Sequence, residues 1–184
     1  KAKQALIHLI TKYPENYQGH KRLAKIYELE GGNRKAIDEY VQAIDINKRD
    51  YDSYYKVAEL LNGLDKHDEA AQMLSSLLKK KPEYYKATML LGDILIKKEM
   101  YKEAANIYQD ALRFNPTSYE IQYNLGMVYT MLNDFENAKI CYEKAAQLNG
   151  LLYNAKYALA EIALIYKEIE EAQKYFMQVI EDEK

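Results

Sequence analysis

Residues 119–150 read YEIQYNLGMVYTMLNDFENAKICYEKAAQLNG. Apolar residues recur at Ile121, Leu125, Val128 and Leu132, at steps of three and four, which places them on one helical face. Asn133 and Asp134 interrupt the pattern. It resumes from Phe135 to Gln147 as a second helix. Thr117 and Ser118 offer N-caps for the first helix, directly after the helix-ending Pro116. The stretch therefore predicts two helices joined by a short turn.

The same pattern returns every 34 residues without an insertion. Ala2, Ala36, Ala70, Ala104, Ala138 and Ala172 keep that step. Counted from an opening tyrosine, full units start at Tyr17, Tyr51, Tyr85, Tyr119 and Tyr153. The seventh place holds Leu23, Val57, Leu91, Leu125 and Leu159. The eighth is always small: Ala24, Ala58, Gly92, Gly126 and Ala160. Four places after each register alanine stands a bulky residue: Leu6, Tyr40, Leu74, Tyr108, Tyr142 or Phe176. Pro14, Pro82 and Pro116 share one place near the end of a unit. Small residues at facing places let two helix backbones approach, and the large ones beside them fill the flanks. A single pair of helices cannot bury its apolar faces alone, so units of this kind must stack on their neighbours.

This pattern resembles the tetratricopeptide repeat, through Leu91, Gly92, Ala104, Tyr108, Ala111 and Pro116 in one unit and Leu125, Gly126, Tyr129, Ala138, Tyr142 and Ala145 in the next. The resemblance covers the whole chain. It implies an all-α fold, a right-handed α-α superhelix of five full helix-turn-helix repeats preceded by half a repeat. The expected boundaries are a half repeat 1–16 and repeats 17–50, 51–84, 85–118, 119–152 and 153–184, forming a single solenoid domain. The family's tryptophan is replaced by His20, Tyr54, Thr88, Gln122 and Lys156. The chain opens on Lys1 in the middle of a unit, and is read as a segment of a longer protein.

Composition sets further bounds. The chain has 184 residues, of which 48% are hydrophobic, enough for a stacked core without metals or disulfides. Its 26 basic and 28 acidic residues leave a net charge of −2. Without a dense basic stripe, nucleic acid is not an expected partner. No apolar run approaches the roughly 18 residues needed to span a bilayer. The lone Cys141 has no internal disulfide partner, and a soluble, cytoplasmic segment is the expectation. His8, His20 and His67 fall at three different places of the repeat and form no ligand pair. No Gly-rich phosphate loop and no nucleophile-base spacing is present. No catalytic residue, cofactor or metal is expected, and the segment is read as non-enzymatic.

The resemblance also implies a concave groove lined by the first helix of each unit. It places Lys21, Arg22, Lys25, Lys56 and Lys86 at one end and Glu120, Tyr123, Asn124, Met127, Thr130, Tyr157 and Glu161 at the other. Tyr55, Glu59, Met89 and Asp93 fall between them. Tyrosine supplies rigid contact area at low entropic cost, and methionine adapts to irregular ligands. The chaperone-tail carboxylate clamp of some family members is matched at Lys21 and Lys86 only. Lys25 and Lys56 replace its asparagines and Leu90 its arginine. An asparagine ladder is reduced to Asn124.

Three functional readings follow. The first is a protein-interaction module that binds a peptide or extended partner segment in the groove, with an acidic partner favoured at the lysine-rich front, where only Glu59 and Asp93 are expected to oppose the lysines. The second is an assembly scaffold acting through its ends and convex face. Self-association would then run through terminal helices carrying Leu6, Ile7, Leu9 and Ile10, and Phe176, Val179 and Ile180. The third is an accessory region of an enzyme whose catalytic domain lies elsewhere. In each, the lysines retain the alternative role of solvated helix surface, and the opening tyrosines that of packing between units.

Overall fold

The computed structural model describes residues 1–150 and 153–182. Residues 151–152 and 183–184, which close the fourth and fifth expected repeats, lie outside the described residues. Among the described residues there are eleven α-helices and no strand. They are α1 Ala2–Lys12, α2 Tyr17–Leu29, α3 Asn33–Ile46, α4 Tyr51–Gly63, α5 His67–Lys80 and α6 Tyr85–Lys97, then α7 Tyr101–Leu112, α8 Tyr119–Met131, α9 Phe135–Leu148, α10 Tyr153–Ile165 and α11 Ile169–Asp182.

The helices fall into two compact units, residues 1–94 and 95–184, with the division inside α6. In the first unit α1 packs on α2, α2 on α3, α3 on α4 and α4 on α5. In the second α7 packs on α8, α8 on α9, α9 on α10 and α10 on α11. Within each unit these helices meet their sequence neighbours, as stacked helical hairpins require.

Three helix starts are capped by a short polar side chain, whereas Asp50, ahead of α4, accepts from Ser53 Oγ and Lys21 instead of a helix amide. Asn16 accepts from the Gly19 amide at 2.8 Å and Ser118 from that of Ile121 at 3.3 Å. Asp134 does the same for Asn137 at 3.3 Å. Such caps satisfy amides that have no partner inside the helix.

The hairpin turns are alike in backbone and unlike in sequence. Gly31, Asp65, Glu99, Asn133 and Lys167 hold the same place in the repeat, and all have a left-handed φ, between 58° and 75°. Each donates its amide to the carbonyl three residues back, as Asn133 does to Thr130 at 3.0 Å. The following amide reaches five residues back, as from Asp134 to Tyr129 at 2.9 Å. These two bonds define a Schellman turn, which ends a helix by satisfying its last carbonyls. Glycine is the residue most at ease in that conformation, yet it occupies only one of the five turns.

The core follows the register. Ala36, Ala70, Ala104 and Ala138 have no exposed surface, and Ala172 is buried as well. Tyr40, Leu74, Tyr108 and Tyr142, four places on, are buried beside them. In the second unit Ala138, Tyr142, Ala145, Ala155, Leu159 and Ile162 form one cluster, flanked by Met127, Phe135 and Tyr175. The terminal helices depart from this. Ala2 is exposed, and α1 buries no residue completely. Phe176 remains partly exposed on α11.

Candidate functional site

The first unit contains a groove of about 930 Å³. Helices α2, α4 and α6 supply most of its wall, and Leu6 of α1 and Tyr40 of α3 contribute to it. It brings together six of the residues expected from the sequence: Lys21, Lys25, Tyr55, Lys56, Lys86 and Met89. Arg22, Glu59, Leu90 and Asp93 line it too. These side chains converge because first helices of successive hairpins lie side by side, and places four or seven apart on a helix share a face.

The lysines are not equally available. Lys21 donates to Asp50 at 2.7 Å and lies 3.6 Å from Asp52. Lys56 donates to Glu59 at 2.6 Å and to Glu28 at 3.1 Å. The bond to Glu59, joined by that to Glu28, holds the Lys56 ammonium above the ordinary lysine range against the opposing effect of burial. The expectation that only Glu59 and Asp93 oppose the lysines is therefore corrected. Glu28 closes α2, and Asp50 and Asp52 sit at the start of α4, each within reach of a lysine on a neighbouring first helix. Arg22, Lys25 and Lys86 have no ion pair or hydrogen bond among the described residues.

Three phenols border the same groove, each donating to a carboxylate. Tyr40 donates to Glu28 at 3.0 Å, Tyr55 to Glu59 at 3.2 Å and Tyr84 to Asp52 at 2.8 Å. The Tyr55 and Tyr84 rings are tilted against each other with centroids 5.9 Å apart. Burial, reinforced by the carboxylate each one faces, pushes all three phenols above their ordinary range, so they remain donors at neutral pH. Asp93 behaves differently. Burial pushes its carboxyl up, with no donor offsetting it.

The remaining expected residues belong to the second unit. The Tyr123 ring packs against Tyr142, centroids 5.6 Å apart. The amide of Asn124 points to the Tyr108 hydroxyl at 3.5 Å. Met127 packs on the core cluster. These three side chains are thus engaged in their own unit's packing. Tyr157 and Glu161 on α10 are exposed, with the Tyr157 ring edge-on to Phe176 at 5.6 Å.

Sequence reasoning missed Glu28, Asp50, Asp52 and Tyr84. For the acids the signal was a lysine about one repeat away: Lys21 and Asp50 are 29 residues apart, Glu28 and Lys56 are 28. Among the described residues no cluster of His, Cys, Asp and Glu could hold a metal ion. No described helix is long and apolar enough to cross a membrane.

Comparisons with known proteins agree with this geometry. Family models described as tetratricopeptide repeat match residues 52–84 and 119–150, and one described as TPR repeat matches 92–133. No curated protein sequence matches the chain. Among solved structures, MamA protein is similar with a TM-score of 0.80 at 19% identity, over 92% of this chain and 93% of that one. MamA 41-end from Desulfovibrio magneticus RS-1 gives 0.76 at 20% identity, over 91% and 94%. YrrB, described as a TPR protein with an unusual peptide-binding site, gives 0.77 at 20% identity, over 98% and 93%. At such identities the likeness to these structures is one of fold. The repeat period, the hairpin turns and the matched models together show that the chain belongs to the tetratricopeptide repeat family of protein-interaction modules.

Proposed function

We propose that the chain captures an extended, acidic segment of a partner protein along the groove of its first unit. Arg22, Lys25 and Lys86 meet the partner's carboxylates. Tyr55 and Met89 supply contact area. Lys21 and Lys56, already ion-paired, hold the groove's walls together and keep spare donor hydrogens for the ligand. In the second unit Tyr123, Asn124, Met127, Tyr157 and Glu161 are proposed as a further contact face. One observation carries this reading: three cations with no ion pair or hydrogen bond among the described residues line the same groove as Tyr55 and Met89.

Titration of fluorescently labelled Glu- and Asp-rich peptides at low and high salt tests it. Affinity should fall with salt, because exposed charge contacts are screened. It should fall again in the Arg22→Glu/Lys86→Glu double variant. Binding indifferent to both changes sinks the proposal.

A second reading, self-association, is favoured by the apolar surface of α10 and α11. Leu164, Ile165, Ile169, Met177 and Ile180 are each roughly half exposed there. Soluble monomers expose apolar side chains singly more often than in such concentration. Solution mass over a concentration range decides it, with Ile169→Lys/Ile180→Lys expected to return any oligomer to monomer.

A further inference from the structure

Charge is divided unevenly between the two units. Residues 1–94 hold 16 basic and 14 acidic residues, whereas residues 95–184 hold 10 and 14. Most of that acidic excess sits on α11, IEEAQKYFMQVIED, with four acids and one lysine. The same helix leaves Ile169, Met177 and Ile180 each more than half exposed. Standing at i, i+8 and i+11, they share one stripe of its surface. Glu170 and Glu181 are eleven places apart, about three turns, so both border that stripe on one side. Both are exposed, with no ion pair or hydrogen bond among the described residues. Glu168 and Glu171, by contrast, are taken by Lys139. The groove of the first unit has the converse character. Ile26, Tyr55 and Met89 line it together with the unpaired Arg22, Lys25 and Lys86.

We infer that the first-unit groove of one copy of this chain takes α11 of a second copy. Ile169, Met177 and Ile180 lie against the groove's apolar wall, while Glu170 and Glu181 meet its unpaired cations. An amphipathic helix laid in a groove by anchors along one face is a recurrent mode of recognition. This docking rests on the groove reading above, with an acidic helix in place of an extended segment. It covers an exposed apolar stripe and matches opposite charges in one contact. Packing α11 against α11 of a second copy would bury the same stripe but set acid against acid, which opposes association. The giving and receiving surfaces differ, so the interface is heterologous, and each copy can offer one while using the other. A groove filled by a second copy is closed to an acidic partner. Assembly and partner capture therefore exclude one another.

Two variants of exposed residues each disable one half of the contact. Arg22→Glu/Lys86→Glu reverses the groove, and Ile169→Lys/Ile180→Lys removes the stripe on α11. Mass is read by sedimentation of the intact chain, with circular dichroism confirming that each variant keeps its helices. Wild type should associate as concentration rises, and less so in high salt. A Glu- and Asp-rich peptide should return it to monomer. Each variant alone should be monomeric. Mixed, the two should form an equimolar pair, because one keeps the helix and the other the groove. Adding Glu170→Lys/Glu181→Lys to the groove-reversed chain should restore association. Oligomers that survive groove reversal, or a mixture that stays monomeric, overturn the inference. So does wild type that remains monomeric at every concentration while binding acidic peptides, which leaves the groove reading intact. Wild type that neither associates nor binds any acidic peptide overturns both.

Discussion

A methyl group built on Gly126 would lie 2.8 Å from the ring of Tyr142. The ring cannot easily retreat. Its hydroxyl lies 3.3 Å from Thr130, and Tyr123 packs against it. The smallness of the eighth place is here a contact requirement between α8 and α9. Gly126→Ala should cost about 1–3 kcal/mol, the usual range for overpacking a filled core. Urea denaturation measures it. The double variant Gly126→Ala/Tyr142→Leu should cost less than the sum of its parts, because the clash disappears with the ring.

Ala138 faces the same pair of helices and has no exposed surface. Ala138→Leu should likewise destabilise by roughly 1–3 kcal/mol. An unchanged midpoint would show that α9 can rotate or slide to admit the larger side chain.

The hairpin turns give a prediction of opposite sign. Glu99 and Lys167 hold a left-handed backbone that costs a non-glycine residue roughly 1–2 kcal/mol. Glycine removes that cost and adds some freedom to the unfolded chain. Glu99→Gly and Lys167→Gly should each stabilise by about 0.5–1 kcal/mol. Gly31→Ala should destabilise. Gly63, whose φ is not positive, serves as the control: Gly63→Ala should not destabilise, since it lies in a helix with open space around it.

Burial pushes the Cys141 thiol up from its ordinary value to about 11. The thiol is therefore protonated and covered at neutral pH, and inert, since the thiolate is the reacting species. A soluble thiol reagent should label native protein only as fast as the second unit opens. Labelling at the rate of a free thiol would contradict the packing of α9. The folded chain holds this proton more tightly than the unfolded chain does. Its contribution to stability is therefore complete below about pH 9 and is lost as pH rises toward about 11. Cys141→Ala should flatten that part of the alkaline limb, read from urea midpoints at successive pH values.

The hairpins were legible in the sequence because their packing is local and repeated. A small residue at Gly126 and an alanine at Ala138 carry the same message in every unit. The groove was legible only as a set of places. Which lysines are free depends on side chains reaching between helices, as Lys21 does to Asp50, and no periodicity encodes that reach. Nor could periodicity show that Tyr123 and Asn124 are engaged by Tyr142 and Tyr108. The turns at Glu99 and Lys167 were hidden for another reason. Neither residue type marks a turn, and the backbone bonds that hold them there leave no trace in composition.

Those bonds have a consequence for how such a chain grows. The two hydrogen bonds of each turn begin and end within one hairpin, so no turn borrows an atom from the next. A stretch of 34 residues copied or deleted whole would carry its own closure with it and orphan no carbonyl elsewhere. Length can thus change by gene duplication in single steps, while the side chain at the left-handed place is left to drift.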